Sequence, residues 1–439
     1  EVASVPATRR VRLAALAAAG RLDEARSVGE ALLDELGSEP EVVAHLMNAA
    51  IQARDIEQCG RFAELVPVST DPMLLRVRAQ YAGWRRDYEE TLRIASILRS
   101  SPEGSDGWCD GVIMAVKALG ALGRSDDAVR LAEAGMEACP RLRDDCLLQA
   151  QYCKDLRRVH RYRDSTRAAT VAAARRMSVS ATDRAAVTTT VGRAWYEAGD
   201  LQRTIRWWQE AATGHRRVGN TREQIIVLTN LCQAYREAGR PARALAVGEE
   251  ALAEARATGF AAAEVVVLGN LGDLALQQGD VAEARARWEA AHRRSREVPA
   301  ALDRSEHTRR MARLALAQRS SAAPRLVREA LEAVPDGADH DDDRARAHGL
   351  EAILAASDGR VDDLEAIEAR AVELARRESN GPLLAELRID LAEAWLEVGR
   401  HDLALDRALL VRSFSEEFGR QPLVSRAERV IEALERACQ

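Results

Sequence analysis

The stretch "NLGDLALQQGDVAEARARWEAA", from Asn270 to Ala291, reads as two short helices joined by a tight corner at Gly279 and Asp280. The same skeleton occurs forty residues earlier as "NLCQAYREAGRPARALAVGEEA", which begins at Asn230. Apolar residues spaced four apart before each corner predict a helix with one packed stripe. A helical hairpin that recurs at a fixed interval predicts an array in which stacked copies share one continuous core.

Glycines punctuate the chain at the same interval. Because glycine readily takes the left-handed backbone conformation that ends many helices, each of these glycines predicts a helix C-cap. Caps twenty residues apart predict two helices of roughly 15–17 residues in every period. One register, broken only at Arg319, runs through Gly199, Gly239, Gly279, Gly359 and Gly399, and a second, half a period away, runs through Gly219, Gly259 and Gly419.

The fifth residue after most corners is small. A small side chain there lets the second helix of a hairpin approach the first closely. Four residues later a large side chain occurs in two of the hairpins, Trp208 and Trp288. These positions predict the seam between the two helices of each hairpin. The small residues are Ala25, Ala128, Thr204, Ala244, Ala284 and Ala404.

Composition favours an all-α protein. Hydrophobic residues make up 47% of the 439 residues but aromatic residues only 4%, and the strong helix formers Ala and Leu dominate. Pro and Gly number only 12 and 27, and runs of β-branched residues are few, which disfavours strands. No stretch approaches the ~18 continuous apolar residues of a membrane span, so no membrane partner is expected.

Charge and cysteine content narrow the partners and the compartment. The net charge of −6 supplies no overall basic field, so we expect no direct binding of nucleic acid. The seven cysteines are odd in number and form no C-x-x-C pair, which favours a reduced, cytoplasmic setting over a disulfide framework. The chain begins with Glu1 rather than Met, which is compatible with a piece of a longer protein.

The repeat resembles the tetratricopeptide repeat (TPR) family, whose pattern runs L-G/A-x-x-Y/W, then x-x-x-G-D/R, then x-x-x-A. This resemblance implies an all-α, right-handed TPR-type superhelix of about eleven helical hairpins, with a period of roughly 40 residues in the C-terminal two-thirds. The matching residues are Leu231, Tyr235, Gly239, Arg240 and Ala244 in one period, and Leu271, Gly272, Gly279, Asp280 and Ala284 in the next.

The match is strongest between Gly199 and Gly399 and weaker towards the start. The stretches "AAGRLDEA" and "ALGRSDDA" keep the corner, whereas "QARDIEQC", "WRRDYEET" and "HRYRDSTR" are degenerate corners at shorter intervals. We therefore predict less regular hairpins over residues 1–180, regular hairpins over 181–420 and a closing helix over 421–439. The segment from Ser320 to Pro324 departs most from the pattern.

No motif predicts catalysis. Neither Lys117 nor Lys154 follows a glycine, so the chain has no Walker A loop, and H-E-x-x-H and G-x-S-x-G are absent. The acidic run "DGADHDDDR" (336–344) lacks the ligand spacing of a calcium loop and is interpreted as a solvated loop beside a helix N-terminus. Cys146 and Cys153 are interpreted as buried small hydrophobes. We expect no enzyme activity, no metal and no cofactor.

The first helix of each hairpin is the expected ligand surface, because it lines the concave side in the TPR family. In that family the residue before the Leu of the L-G pair often contacts a bound peptide. This slot holds Thr190, Asn230, Asn270, Arg310 and Asp390. Arginines one turn later give the face a net positive charge, which an acidic peptide would complement. The alternative is that an arginine-rich protein carries arginine on every exposed face. The predicted ligand-binding residues are Arg193, Asn230, Gln233, Arg236, Asn270, Asp273, Arg309, Arg310 and Arg313.

The phrases "AEARATG" (253–259) and "GNLG" (269–272) resemble the C-terminal repeats of LuxR-type large ATP-binding regulators and related signal-transduction ATPases. This resemblance implies a non-catalytic sensor or scaffold segment of a larger bacterial signalling or transcription-regulating protein. Its ligand would be a protein, a peptide or a small signal molecule. The alternatives are a free-standing TPR adaptor, or the recruitment module of an effector enzyme whose catalytic domain is absent from this chain.

Overall fold

The fold is that of a computed structural model, which describes residues 5–18, 21–53, 55–295, 304–334, 341–377 and 381–437. These residues form twenty-three α-helices and two short 3₁₀ turns, with no strand among them. Twenty-two of the helices follow one another as eleven consecutive pairs, and one closing helix follows them. The predicted all-α array of about eleven TPR-type hairpins and a closing helix is therefore confirmed.

The chain divides into two compact units, residues 1–161 and 162–439. This division falls between the helices Cys146–Arg158 and Tyr162–Arg175. The predicted segment boundaries at 180 and 420 describe the regularity of the sequence and remain predictions. The first unit also contains a 3₁₀ turn, Pro140–Asp144. Its helices are α1 (Val5–Ala18), α2 (Leu22–Leu36), α3 (Pro40–Gln52), α4 (Ile56–Glu64), α5 (Pro72–Trp84), α6 (Tyr88–Leu98), α7 (Asp106–Ala121), α8 (Ser125–Ala138) and α9 (Cys146–Arg158).

The second unit holds the regular hairpins and the closing helix, together with a 3₁₀ turn, Arg176–Ser178. Most of its helices have 17 residues, close to the predicted length. They are α10 (Tyr162–Arg175), α11 (Ala181–Glu197), α12 (Leu201–Arg217), α13 (Thr221–Glu237), α14 (Pro241–Ala257), α15 (Ala261–Gln277), α16 (Val281–Ser295), α17 (Arg304–Ala317), α18 (Ala323–Glu332), α19 (Asp341–Ser357), α20 (Val361–Arg377), α21 (Gly381–Glu397), α22 (His401–Phe418) and α23 (Gln421–Ala437).

The corners keep one backbone conformation even where glycine is missing. Gly199 and Gly239 have φ angles of 90° and 68°, in the left-handed region that the sequence predicted for them. Arg86 and His160, in two of the degenerate corners, have φ angles of 63° and 58°, and Arg319, in the slot without glycine, has 47°. These two degenerate corners are therefore true corners, although a non-glycine residue must take a less favourable conformation there. Arg54, in the third degenerate corner "QARDIEQC", lies outside the described residues.

The seam between the two helices of a hairpin is formed as the small residues predicted. Trp208 and Trp288 are buried against Gly192 and Gly272 of the preceding helix, where an added Cβ would overlap the indole ring. A glycine after Val191 or Leu271 thus makes room for the bulky residue of the second helix. All six predicted small residues, Ala25, Ala128, Thr204, Ala244, Ala284 and Ala404, are completely buried.

The remaining expectations concern cysteines, acidic residues and membranes. Cys146 and Cys153 are buried, as predicted. Asp341, Asp342 and Asp343 form the first turn of α19, whereas residues 336–340 of the acidic run lie outside the described residues. Within the described ranges no group of three or more metal-ligating side chains comes together. None of the helices described there is both long and apolar enough to cross a bilayer.

His215, near the end of α12, predicts a loss of stability at mildly acidic pH. Its ring is buried, Nε2 lies 2.9 Å from the Thr189 hydroxyl oxygen, and Nδ1 has no hydrogen-bond partner among the described residues. Burial lowers the pKa of His215, while Glu223 acts in the opposite direction. Because the unfolded chain binds this proton more readily than the folded one, stability decreases as the pH falls below about 6.5.

Urea unfolding at pH 7.5 and pH 5.5 measures this loss. We expect His215→Gln, which keeps a polar group near Thr189 but does not titrate, to reduce the difference in unfolding free energy between the two pH values. A difference of the same size in His215→Gln and in the parent protein would contradict the assignment.

Candidate functional site

Polar side chains from several helices of the second unit converge on one surface, which we call the interior face. Burial lowers the pKa of Arg236, Arg346 and Arg420, but neighbouring carboxylates raise all three above the ordinary value, and Glu386 on α21 is among those neighbours each time. Since charges interact strongly only within about 10 Å, all three arginines lie near Glu386, and Nε of Arg346 is 4.0 Å from its Oε2. The interior face comprises Arg193, Tyr196, Gln233, Arg236, Glu237, Asp273, Arg309, Arg310, Arg313, Arg346, Glu386, Asp390, Glu393, Arg420 and Arg426. Asn230 is assigned to it because it precedes Gln233 and Glu237 by three and seven residues, which is the spacing of one side of a helix.

Glu237 is the centre of one cluster on this face. Its carboxylate accepts hydrogen bonds from the Tyr196 hydroxyl at 2.7 Å, from Gln233 Nε2 at 3.0 Å and from Arg420 Nη1 at 2.8 Å. Although burial raises the pKa of Glu237, Arg420 and Arg236 hold it below its ordinary value, so the carboxylate is ionised at neutral pH. Three elements, α11, α13 and the corner after α22, are joined at this residue.

Asp390 on α21 is the centre of a second cluster. Arg313 Nη2 on α17 lies 3.1 Å from Oδ2, and Arg426 Nη2 on α23 lies 2.7 Å from Oδ1. Arg426 also donates to both carboxylate oxygens of Glu393, at 2.8 and 2.6 Å. Burial raises the pKa of Asp390, but Arg313 and Arg426 together hold it below its ordinary value. This network fixes the position of α17 and α23 relative to α21.

Asp273 on α15 is the centre of a third cluster. Arg310 donates to it through Nε at 2.9 Å and Nη2 at 3.1 Å, which is the two-point geometry of an arginine fork on a carboxylate. Trp288 Nε1 donates to the same carboxylate at 3.1 Å. Asp273 and Arg310, both predicted from the sequence as ligand contacts, are therefore already engaged with each other.

Each of the predicted arginines has a carboxylate within 4 Å, so the positive charge that the sequence predicted for this lining is partly neutralised. Of these acidic partners the repeat pattern singled out Asp273 and Asp390, but not Glu197, Glu237 or Asp343. Two arginines nevertheless remain accessible, because the Arg193 and Arg313 side chains are 43% and 50% exposed while their partners Glu197 and Asp390 are 17% and 9% exposed. The other pairs are Arg236 with Glu237, Arg309 with Asp343 and Arg310 with Asp273.

The two predicted asparagines differ in environment. Asn270 is buried, and its Nδ2 donates to the carbonyl oxygen of Thr229 on α13 at 3.3 Å, so it links two helices. Asn230 is half-buried, and its amide makes no hydrogen bond to another described residue. Asn230 is therefore the better placed of the two to bind a peptide backbone, since an amide both donates and accepts. The ligand-binding role of all nine residues remains a prediction.

This difference predicts opposite effects of the same substitution. Asn270→Ala should lower the free energy of unfolding by about 1 kcal/mol, the usual contribution of a buried hydrogen bond. Asn230→Ala, its matched control, should change it by less than about 0.5 kcal/mol. Urea unfolding of both variants measures the difference. Equal losses would mean that the Asn270 bond to α13 does not stabilise the fold.

Sequence reasoning missed several members of the interior face. One signal could have found Glu237, because an acidic residue recurs two positions before the corner glycine, at Glu197, Glu237 and Glu397. No signal of this kind exists for Arg420, which lies 183 residues from Glu237 along the chain. Its position depends on how the last hairpin meets the first hairpins of the second unit.

Comparison with known proteins gives the fold and no family. No protein-family model matches the sequence, and no curated protein matches it. NprR in complex with its cognate peptide NprX is similar in structure at 15% identity, with a TM-score of 0.56 over 77% of this chain and 97% of that chain. The apo form of the quorum sensor NprR from B. thuringiensis is similar at 14% identity, with the same TM-score and coverage.

A third solved structure is the Rap conjugation gene regulator of the plasmid pLS20 in complex with the Phr* peptide. It is 14% identical, with a TM-score of 0.50 over 85% of this chain and 98% of that chain. At these identities the similarity shows a common fold, that of TPR-like helical-repeat proteins.

Proposed function

We propose that this chain is a non-catalytic sensor or scaffold that binds a peptide through the interior face of its second unit. NprR and the Rap regulator, which share the fold, form complexes with peptides. The observation that carries the proposal is the pair of accessible guanidinium groups, Arg193 and Arg313. The same face presents Asn230, whose amide has no hydrogen-bond partner in the described part of the chain.

The interior face has the chemistry that an acidic peptide requires. Arg193 and Arg313 would pair with its carboxylates, and Asn230 would bind its backbone. Each arginine is already held by an ion pair, Arg193 Nε to Glu197 at 2.7 Å and Arg313 Nη2 to Asp390 at 3.1 Å. Because these pairs limit side-chain motion before the ligand arrives, binding costs less conformational entropy.

We further propose that these repeats are the sensor part of a larger bacterial signalling protein. The support is the resemblance of the repeat phrases, such as "AEARATG" at 253–259, to the C-terminal region of LuxR-type large ATP-binding regulators. The complete reading frame tests this: a Walker A loop upstream or a terminal helix-turn-helix supports it, whereas a start codon just before Glu1 with no further domain would favour a free-standing adaptor.

Peptide binding is tested with two fluorescent heptapeptide libraries, one rich in Asp and Glu and the other rich in Lys and Arg. We expect the full chain to raise the fluorescence anisotropy of acidic peptides only. Arg313→Gln should lower the affinity for the tightest acidic peptide about tenfold, because one charge-assisted hydrogen bond is lost. The variant should remain folded, because Arg426 still pairs with Asp390.

Arg325→Gln is the matched control, since Arg325 lies exposed on α18, the second helix of the same hairpin, and its pair with Glu329 stays within that helix. Equal affinity of Arg313→Gln and Arg325→Gln for the peptide would show that the ligand does not bind the interior face. Binding of basic peptides, or of neither library, would contradict the proposed function.

A further inference from the structure

Two buried thiols meet in the first unit, at the end of the α7–α8 hairpin that lies away from its corner. Cys109 is in the first turn of α7, and Cys139 directly follows the last residue of α8. Their Sγ atoms are 3.5 Å apart, and the two residues are 4% and 7% exposed. The other features of the sequence and the interior face do not involve this pair.

We propose that Cys109 and Cys139 are an oxidation site, at which a peroxide converts the two thiols into a reversible disulfide. This inference is independent of the proposed function, because it concerns the first unit and needs no peptide. It also agrees with a reducing environment, since such a bond forms only while the oxidant is present.

The geometry permits the bond with a small movement. A disulfide has an S–S distance of about 2.05 Å, so the sulfurs must approach by about 1.5 Å. Cys139 can supply this movement, because it lies in an extended conformation (φ −129°, ψ 102°) between the end of α8 and the 3₁₀ turn Pro140–Asp144. The Cys139 N–H donates to the last turn of α8 at Gly135 O, whereas its carbonyl oxygen accepts from Leu142 N–H in the 3₁₀ turn. Because Cys139 lies outside both helices, its side chain can rotate without a shift of α7 or α8.

Access for a small oxidant is controlled by Arg141. Its guanidinium lies close enough to the Cys109 thiol to lower the pKa of that thiol, and Nη1 pairs with Asp106 at 2.6 Å. The Arg141 and Asp106 side chains are 52% and 90% exposed, so this pair is held only by a solvated contact. Movement of the Arg141 side chain away from the two sulfurs would expose them to a molecule as small as hydrogen peroxide.

The two thiols are unequal, which assigns their roles. Burial acts to raise the pKa of Cys139, but the Cys109 thiol and the backbone N–H groups of Arg141 and Leu142 hold it below its ordinary value. Burial raises the pKa of Cys109, against the opposing effect of Arg141. Since the thiolate is the nucleophile, Cys139 reacts first with the oxidant and Cys109 resolves the product.

The chemistry balances with hydrogen peroxide as the oxidant. The Cys139 thiolate attacks one peroxide oxygen, the O–O bond breaks, and the leaving hydroxide takes a proton to become water, which leaves Cys139 as a sulfenic acid. The Cys109 sulfur then loses its proton and attacks the Cys139 sulfur. The S–O bond breaks, and the second oxygen leaves as water. Two thiols are oxidised and one peroxide is reduced to two waters.

The site should be selective among the cysteines. Cys59 and Cys232 are completely buried, and burial raises the pKa of each to about 12. They are therefore poor nucleophiles at neutral pH. A bond between Cys109 and Cys139 spans 30 residues and joins the start of α7 to the end of α8, so it should stabilise this hairpin against unfolding.

The test is to treat the full chain with one equivalent of hydrogen peroxide and map the cysteines by mass spectrometry without reduction. We expect one cross-linked peptide pair containing Cys109 and Cys139, with the loss of two hydrogens, reversed by dithiothreitol. The melting temperature of the first unit should rise by about 5 °C on oxidation, as expected for a loop of this length. Arg141→Gln should raise the rate of cross-linking, because the shorter side chain covers the sulfurs less, and a slower rate would contradict the role given to Arg141. Arg130→Gln, at an exposed position on α8, should leave the rate unaltered.

Three results would overturn the proposal. The first is irreversible sulfinic acid on Cys139 with no cross-link, which would show that Cys109 cannot reach it. The second is oxidation of Cys59 or Cys232 before the pair. The third is a full set of free thiols after treatment, in a sample where an added model thiol of low pKa is oxidised. Because all three are read from the parent protein, they do not depend on the folding of a cysteine variant.

Discussion

Arg420→Ala should lower the free energy of unfolding of the second unit by about 3–5 kcal/mol, the effect of removing one partner of a buried ion pair. Arg420 and Glu237 are almost completely buried, at 2% and 7% exposed, and Nη1 of Arg420 lies 2.8 Å from Oε2 of Glu237. Removal of the guanidinium leaves the buried Glu237 carboxylate without its nearest positive charge, since Arg236 lies farther away, at 3.8 Å. Urea unfolding of the parent and the variant measures the loss.

The effect should be large because Arg420 stands where the second unit closes on itself. The corner that carries it, between α22 and α23, contacts corners near the beginning of the unit: Phe414 and Phe418 approach Gly199, and Gln421 approaches Gly239. Two nitrogens of Arg420, Nε and Nη2, have no hydrogen-bond partner among the described residues, so part of the cost of burying this charge is not recovered.

A double variant separates the ion pair from the packing of this corner. Arg420→Met combined with Glu237→Leu removes both charges and should recover most of the stability lost by Arg420→Ala, since apolar replacement of a buried pair is often neutral. Arg429→Ala is the control, because Arg429 is exposed on α23. Equal stability of Arg420→Ala and Arg429→Ala would show that the contact between the ends of the unit contributes nothing to folding.

Ala284→Arg should destabilise the second unit by about 3 kcal/mol or more. Ala284 is completely buried in a cluster with Ala275, Trp288 and Leu314, at the seam between helices. A longer, charged side chain must push the helices apart or enter an apolar site without a partner, and both changes are costly. The same substitution at Ala282, which is exposed on α16, should change the unfolding free energy by less than about 0.5 kcal/mol.

Thermal and urea unfolding of the two variants tests the interpretation of the small residues. If Ala284→Arg and Ala282→Arg unfold alike, the small residue after the corner does not mark the contact between helices, and the repeat pattern would need another explanation.

The hairpin fold could be predicted because its determinants are local and recur. A glycine with positive φ ends a helix through its own backbone preference, as at Gly239. A small, buried residue such as Ala244 allows the two helices of a hairpin to approach closely. Each determinant involves residues close in sequence, and each repeat supplies another example. Where the glycine is replaced, as at His160, the corner persists but the sequence signal is weaker.

The pairing of charges on the interior face could not be predicted in the same way. Arg313 meets Asp390 across 77 residues, and Arg420 meets Glu237 across 183. Whether residues so far apart in sequence come into contact depends on the rotation from one hairpin to the next. This rotation accumulates along the array and cannot be predicted from the sequence of a single repeat. The repeat pattern likewise placed Asn230 and Asn270 in equivalent positions before the Leu. In the structure, Asn270 on α15 donates to the carbonyl oxygen of Thr229 on α13, whereas Asn230 makes no such bond among the described residues. The proximity of Cys109 and Cys139 had no sequence signal either.

The central claim is that the ligand binds the first helices of the hairpins in the second unit, and hydrogen exchange tests it most directly. Backbone amide exchange would be measured by mass spectrometry with and without the tightest acidic peptide from the library. The account predicts slower exchange in α11, α13 and α17, which carry Arg193, Asn230 and Arg313, and unchanged exchange in α12, α14 and α18. Protection confined to those second helices, or to the first unit, would contradict it.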